Sequence, residues 1–309
     1  MRTVALVGPT ASGKTTLSVP LARRLDAEII SMDSRQLYRG MDIGTDKVGS
    51  RARALVPHHG LDLIDPAERY SAGDFARDAR RWIEGIRARG RTPLLVGGTG
   101  FFLRALTHPI FREPPLDEER RERLRRWMEG CSEEELARWV EALDPERVAL
   151  ASAGGRQRLS RTLELPLLTG RPMTWWHRNA PSERAAVDLE VVLLTRPREE
   201  LYARIDRRAR EMFETGLLDE VRSLLDAGVT PDDPGMTGTG YREAVGVLRG
   251  ELTVEEGVLR VQRATRGYAR RQLTWFRNQL SGLRILEVDA SAPLDAQIEA
   301  VVAWWSGSE

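Results

Sequence analysis

Residues Gly8 to Thr15 read Gly-Pro-Thr-Ala-Ser-Gly-Lys-Thr and follow directly on the apolar run Thr3-Val4-Ala5-Leu6-Val7. A buried strand, a loop of the form G-x-x-x-x-G-K-[ST] and a helical pattern, in that order, constrain the fold more than anything else in the chain. Gly8 and Gly13 let the backbone turn its N–H groups onto an anion, and the helix beginning near Lys14 adds its positive end. The whole segment, Gly8, Pro9, Thr10, Ala11, Ser12, Gly13, Lys14 and Thr15, is therefore the expected diphosphate- or nucleotide-binding element. Lys14 is expected to reach the outer phosphate, and Thr15 to ligate Mg²⁺. Taken alone the loop favours ATP, and it leaves open what is done with the bound phosphates.

Composition sharpens one residue of that loop. Of 47 basic side chains, only Lys14 and Lys47 are lysines. A chain so biased toward arginine keeps lysine where a compact ammonium cannot be replaced by a planar fork. That argument points to Lys14 as a phosphate ligand and leaves Lys47 open between function and chance.

Further apolar runs, Glu28–Ser31, Pro93–Val96, Leu189–Thr195 and Arg284–Val288, read as buried strands, with helices over Lys14–Leu25 and Ala72–Ala88 between the first three. The start is a βαβαβ series and hence a parallel sheet. Such sheets bind ligands beyond the carboxyl ends of their strands, where Gly8–Thr15, Met32–Gln36 and Gly97–Gly100 fall. From Pro114-Pro115 onward the rhythm changes to charged, capped helical stretches, with no strand pattern until Leu189. The expected architecture is α/β: a P-loop NTPase-like parallel sheet core built from residues 1–112 and 185–309, with a helical insertion domain over 113–184. At 309 residues and 41% hydrophobic content the chain can bury one large core or two modest ones. The single cysteine, Cys131, excludes an intramolecular disulfide, and four histidines offer no zinc set, so His58-His59 is not read as a metal site. There is no signal-peptide pattern and no run of about 20 apolar residues, which reads as a cytoplasmic protein without a membrane span.

Asp33 follows the second strand. A carboxylate there has two jobs open to it: holding the metal, or taking a proton from the nucleophile that attacks the bound ester. Thr99, in Gly97-Gly98-Thr99-Gly100, offers a hydroxyl at the end of the third strand. Arg207 and Arg208 point to different helix faces, so at most one enters the site, where it would neutralise a departing pyrophosphate. From Gly257 to Leu286 there is no acidic residue, while Arg260, Arg263, Arg266, Arg270, Arg271, Arg277 and Arg284 all occur. At 100° per residue all but the last fall within an arc of about 140°, with Val261, Ala264, Tyr268 and Trp275 on another face. A wholly basic face suggests phosphate contacts with a nucleic acid, and the apolar face is expected to be core-directed. Residues 156–184 are also arginine-rich and include Trp175-Trp176-His177. Aromatics beside arginines suit an unstacked base, though burial of the tryptophans is an equal expectation.

With these residues in view, the chain resembles the bacterial tRNA dimethylallyltransferases, the isopentenyl transferases that modify tRNA. The resemblance rests on the phosphate loop, on Asp33-Ser34-Arg35-Gln36-Leu37-Tyr38-Arg39-Gly40-Met41-Asp42-Ile43-Gly44-Thr45, and on Val56-Pro57-His58-His59, Tyr70-Ser71 and Gly97–Gly100. It continues through Thr169-Gly170 and Arg270-Arg271-Gln272-Leu273-Thr274-Trp275-Phe276-Arg277. The chain departs from the family pattern at Gly154-Gly155 and Phe102. The resemblance implies transfer of a dimethylallyl group from dimethylallyl diphosphate to the exocyclic N6 of the adenosine 3′ to the anticodon, position 37; separately, the protein is expected to be a monomer. It implies Asp33, Thr99 and Arg208 as the catalytic residues, with Lys14, Thr15 and Mg²⁺ holding the diphosphate. It implies tRNA contacts from Asp33, Ser34, Arg35, Gln36 and Thr99, from Arg121, Gln157, Arg158, Leu159, Ser160 and Arg161 of the insertion, and from Arg263, Arg270 and Arg277. Two enzyme alternatives are a small-molecule P-loop kinase and an adenylate isopentenyltransferase acting on a free nucleotide. The arginine-rich segments could supply the basic lid such a kinase needs, but the insertion and the Arg260–Arg277 helix are excessive for a small acceptor, and the adenylate enzyme should not need the basic stripe. A regulatory GTPase would need a guanine-reading Asn-Lys-x-Asp, which is absent.

Overall fold

The computed structural model describes residues 2–108, 110–111, 113–180, 182–183 and 187–307. Its strands are β1 (Thr3–Val7), β2 (Ala27–Ser31), β3 (His58–His59), β4 (Thr92–Gly97), β5 (Ile110–Phe111), β6 (Ser182–Glu183), β7 (Leu189–Thr195) and β8 (Arg284–Asp289). Six of them form one parallel sheet in the order β3-β2-β4-β1-β7-β8. β1 and β2 are buried at every position, as expected of central strands covered on both faces. Leu17, Leu21 and Ala22 from the helix Lys14–Arg24 join Ile298 and Val301 from the helix Leu294–Ser306 in a core against Val4, Leu6, Leu94 and Val192. The two-residue strand β3 is an addition to the expected five. It is too short to leave an apolar run, and it is held by its histidines. His58 Nδ1 lies 2.7 Å from Val56 O, and His59 Nε2 lies 2.8 Å from a carboxylate oxygen of buried Glu28, which also receives Arg89.

β2, β4 and β1 are successive, parallel neighbours in the sheet. Their carboxyl ends therefore lie on one edge, and the three segments that leave them (8–15, 32–36 and 97–100) converge there. This follows from topology before any side chain is considered.

The chain separates into two compact units, Met1–His108 with Ala186–Glu309, and Pro109–Ala185. The boundary residues 112, 184 and 185 of the expected domains lie outside the described residues. The second unit packs Met128, Leu136, Val140, Ala151, Leu159 and Leu163 into its own core. Its helices start where capping residues dictate. Ser132 and Glu135 form a reciprocal capping box at Glu133–Leu143, and Asp117 caps Glu118–Gly130. Buried Glu164, on the helix Gly155–Thr169, ties that helix to Glu118–Gly130 by taking Arg121 Nη2 at 3.0 Å and Arg125 Nε at 3.3 Å, and it also takes Arg161 of its own helix. Burial works to raise its pKa, and the arginines, Arg121 foremost, overcome that and hold it below the usual carboxylate range. Among the described residues no helix is long and apolar enough to cross a membrane.

Candidate active site

The phosphate loop is shaped by close approaches. Gly13 has φ +107° at the helix start, a conformation disfavoured for residues with a Cβ. A Cβ on Gly8 would stand 2.7 Å from Leu194 O on the neighbouring strand β7. Ala11 sits at φ +62°, and its carbonyl accepts Arg204 Nε at 2.9 Å. Lys14 Nζ donates to Gly8 O at 2.9 Å and Pro9 O at 2.7 Å, so the ammonium lies along the inner rim of the loop. Burial lowers its pKa from 10.5 to about 8; the carboxylate of Asp33 pulls it up and the guanidinium of Arg208 pushes it down. Arg208 Nη1 reaches Thr10 Oγ1 at 3.2 Å and Asp46 at 3.3 Å, whereas Arg207 is exposed beside Glu211. Arg208 is thus the member of the pair that turns inward.

Two side-chain atoms of this region are buried with no hydrogen-bond partner among the described residues: Ser12 Oγ in the loop and Arg208 Nε beside it. Orphaned donors at an electropositive helix start fit an anion such as a diphosphate. Thr15 is exposed at the first turn of the helix, with its hydroxyl outside every internal hydrogen bond of the described residues. A hydroxyl so placed, with Asp33 across the site, suits a hard, oxygen-seeking cation that keeps several waters, as Mg²⁺ does. No cluster of three or more His, Cys, Asp or Glu among the described residues could hold a metal by itself.

The second segment is an Asx turn. Asp33 Oδ1 accepts Arg35 N–H at 2.8 Å, which aims the half-buried carboxylate from the end of β2. Ser34 N–H donates to Thr99 Oγ1 at 3.2 Å, joining this segment to the third. The side chains of Arg35 and Gln36 are spent within the protein. Arg35 reaches Pro234 O at 2.9 Å and Thr237 Oγ1 at 3.3 Å; Gln36 accepts Ser31 Oγ and donates to the carbonyls of Thr45 and Asp46. The same loop is anchored by Lys47. Its Nζ, 1% exposed, meets Tyr38 O at 2.7 Å, Asp62 at 2.7 Å and Asp42 at 2.6 Å. Both lysines of the chain therefore occupy points where two or three oxygens converge on a single ammonium, a geometry a guanidinium fork cannot meet. Lys47 braces; it does not face the site.

The third segment is held against the long helix Val254–Gln279. Cβ atoms added at Gly98 and Gly100 would stand 2.3 Å from Gln272 Nε2 and 2.4 Å from the Trp275 indole, and one at Gly97 would stand 2.0 Å from Met32 O. Each glycine thus has a neighbour that excludes a side chain, so the repeat is more than a flexible turn. The phenol of Tyr268 stands beside Thr99, and burial of that hydroxyl, followed by nearby Asp33, pushes its pKa up to about 12.

The helix differs from its expected faces in three ways. Its buried side is Gly257, Val261, Gln262, Ala269, Gln272 and Phe276. Tyr268, read as core-directed, is 38% exposed, with its hydroxyl at Thr99 and Arg271 above its ring. Arg266 is neutralised by Asp206, to which Nε donates at 2.9 Å, so it leaves the basic face. Arg260, Arg263, Arg270, Arg271 and Arg277 remain exposed.

In the second unit Gln157 and Arg158 are exposed, Ser160 is half-buried and Arg158 donates to Leu150 O. Leu159 is 2% exposed in the apolar core, which removes its side chain from any surface contact. Arg121 and Arg161 are committed to Glu113 and Glu164, because a buried carboxylate there needs their charge. Trp175 is 37% exposed under Arg171, while Trp176 Nε1 donates to Thr169 Oγ1. The site roles that the pattern alone missed are those of Tyr268, of Gln272 and of the loop of Pro234, Gly235 and Thr237. Only the last carries a local signal, its turn-rich composition.

A family model for IPP transferases matches residues 36–279, and one for isopentenyl transferases matches residues 1–51. The tRNA dimethylallyltransferase of Thermomicrobium roseum is 47% identical over 278 residues, covering 89% of this chain and 83% of that one. The tRNA dimethylallyltransferase of Halorhodospira halophila is 41% identical over 302 residues, covering 97% and 96%. The crystal structure of the full-length tRNA isopentenylpyrophosphate transferase of Bacillus halodurans superposes with a TM-score of 0.70 at 37% identity, covering 99% of this chain and 96% of that one. These likenesses establish that the chain belongs to the IPP transferase family, the tRNA dimethylallyltransferases.

Proposed function

We propose that this protein transfers the dimethylallyl group of dimethylallyl diphosphate to N6 of adenosine 37 in tRNA and releases diphosphate. One observation carries the reading. The helix that closes the site through Tyr268, Gln272 and Trp275 is the same helix that exposes five arginines, so the reacting centre and an RNA-sized basic surface share one rigid element. A kinase for a small acceptor has no use for that surface.

The chemistry follows from the placement of the groups. The N6–C1 bond forms as the C1–O bond to diphosphate breaks, and the diphosphate departs with the electron pair. The N–H groups of the phosphate loop, Lys14 and the inward Arg208 face the charge that grows on the leaving group. Asp33 accepts the proton that N6 loses, and Thr99 with Tyr268 positions the acceptor beside it. Mg²⁺, held by Thr15 with Asp33 nearby, would supply further charge neutralisation for the diphosphate. Adenosine must leave the anticodon-loop stack to enter, at a cost of a few kcal/mol that phosphate contacts along Arg263, Arg270 and Arg277 help to offset. Within the second unit, Gln157, Arg158 and Ser160 remain the candidates for tRNA contact, with Arg121 and Arg161 supporting the fold beneath them.

Asp33→Ala tests the assignment. Turnover should fall about 10²-fold or more, as for loss of a general base, with tRNA affinity nearly unchanged. Near-normal turnover refutes the role of Asp33. Efficient prenylation of free AMP in place of tRNA would move the assignment to the nucleotide-specific alternative.

A further inference from the structure

Gln272 makes two bonds that no other side chain of the site makes together. Its Oε1 accepts Thr10 N–H of the phosphate loop at 2.9 Å, and its Nε2 donates to Gly98 O of the third segment at 2.8 Å. The residue is 6% exposed, and its helical neighbours Arg270 and Arg271 are exposed. One turn before it stands Tyr268 at Thr99, and three residues after it stands Trp275 against Gly100. A carboxamide is the neutral group that offers a donor and an acceptor on one rigid plane. Leu at this position would leave a buried N–H and a buried carbonyl unpaired, and Glu would set one anionic oxygen against Gly98 O.

We infer that Gln272 is a positioning residue that couples diphosphate occupancy of the phosphate loop to the seating of RNA on the arginine face of its helix. The inference rests on the functional reading above. A shift of the Thr10 amide toward a bound anion pulls on Oε1, and the rigid amide passes the displacement to Gly98 and to the helix. The arginines one and two residues away move with it. Coupling of this kind is reciprocal: an anion that tightens RNA binding is itself tightened by RNA to the same extent.

The experiment measures the dissociation constant of unmodified tRNA with and without saturating inorganic pyrophosphate, alongside prenyl transfer, in the wild type, Gln272→Glu and Gln272→Leu. In the wild type, pyrophosphate should change tRNA affinity by about 5-fold or more. In both variants the two constants should agree within about 2-fold, with tRNA affinity in the absence of pyrophosphate unchanged and kcat reduced more than the KM for tRNA is raised. Gly98→Ala, whose Cβ must displace the Gln272 amide, should lose the coupling in the same way, with the helix sequence intact. A wild type that prenylates tRNA but shows no pyrophosphate effect, or variants that keep the full effect, overturns the inference. A wild type that fails to prenylate tRNA instead overturns the functional reading.

Discussion

Replacing Lys14 with Met removes a buried charge while keeping side-chain length, and the structure gives the expected consequence a sign and a size. The ammonium is enclosed by the loop, donates to the carbonyls of Gly8 and Pro9, and has a pKa brought from 10.5 to about 8, chiefly by burial. A fall of that extent corresponds to about 3 kcal/mol. A lysine with a lower pKa in the folded than in the unfolded state binds fewer protons when folded, so stability rises with pH between about 8 and 10.5. The wild type should therefore gain about 2 kcal/mol between pH 7 and pH 9.5 that Lys14→Met does not share. Loss of two hydrogen bonds, about 1 kcal/mol each, shifts the variant by an amount nearly independent of pH, so the slope carries the test. Thermal melting of the ligand-free proteins at both pH values, at about 2–4 °C per kcal/mol, should show wild type gaining several degrees on the variant. Parallel melting curves across that range refute the claim that the loop confines a partly desolvated ammonium. At pH 7 the ammonium is still charged and faces the anion, so the variant should also bind pyrophosphate much more weakly.

Three other perturbations separate positioning from packing and surface charge. Tyr268→Phe deletes the hydroxyl beside Thr99 and should lower kcat by about 10-fold with little effect on melting temperature; unchanged kcat means that Thr99 needs no such partner. Gly97→Ala forces a Cβ to within 2.0 Å of Met32 O and should cost about 2–3 kcal/mol or prevent folding, read by urea denaturation. Neutralising Arg263, Arg270 and Arg277 together should reduce the salt slope of tRNA binding by about 3, and an unaltered slope leaves the basic face merely solvated.

How far the sequence reached follows the range of the interactions involved. The strand–loop–helix at Gly8–Thr15 and the loops after β2 and β4 are legible because glycine spacing and apolar runs are local, and a parallel sheet then brings them to one edge. The inward turn of Arg208 rather than Arg207 required only helical geometry plus knowledge of which face was buried. Tyr268 departs from its apolar-face expectation for a physical reason. Its ring counts as apolar in a periodic pattern, but its hydroxyl is drawn to Thr99, 169 positions away in the chain. Gln272 stands in the family motif, but its role was not legible because its partners Thr10 and Gly98 are remote in sequence. Arg266 and Arg121 look like free cations until their distant carboxylates, Asp206 and Glu164, are seen. Leu159 lies within a motif read as RNA-binding, yet its side chain builds the core on which Gln157 and Arg158 are displayed. Charge runs overstate surfaces wherever long-range pairs exist.

If the phosphate loop holds a leaving group, carbon, and not phosphorus, is transferred. Purified protein with Mg²⁺, unmodified tRNA and dimethylallyl diphosphate labelled in the prenyl chain tests it most directly, with digestion of the tRNA to nucleosides. Label should appear in N6-dimethylallyladenosine from position 37, with release of stoichiometric diphosphate. Phosphoryl transfer from ATP to an acceptor, with no label entering the tRNA, would contradict it.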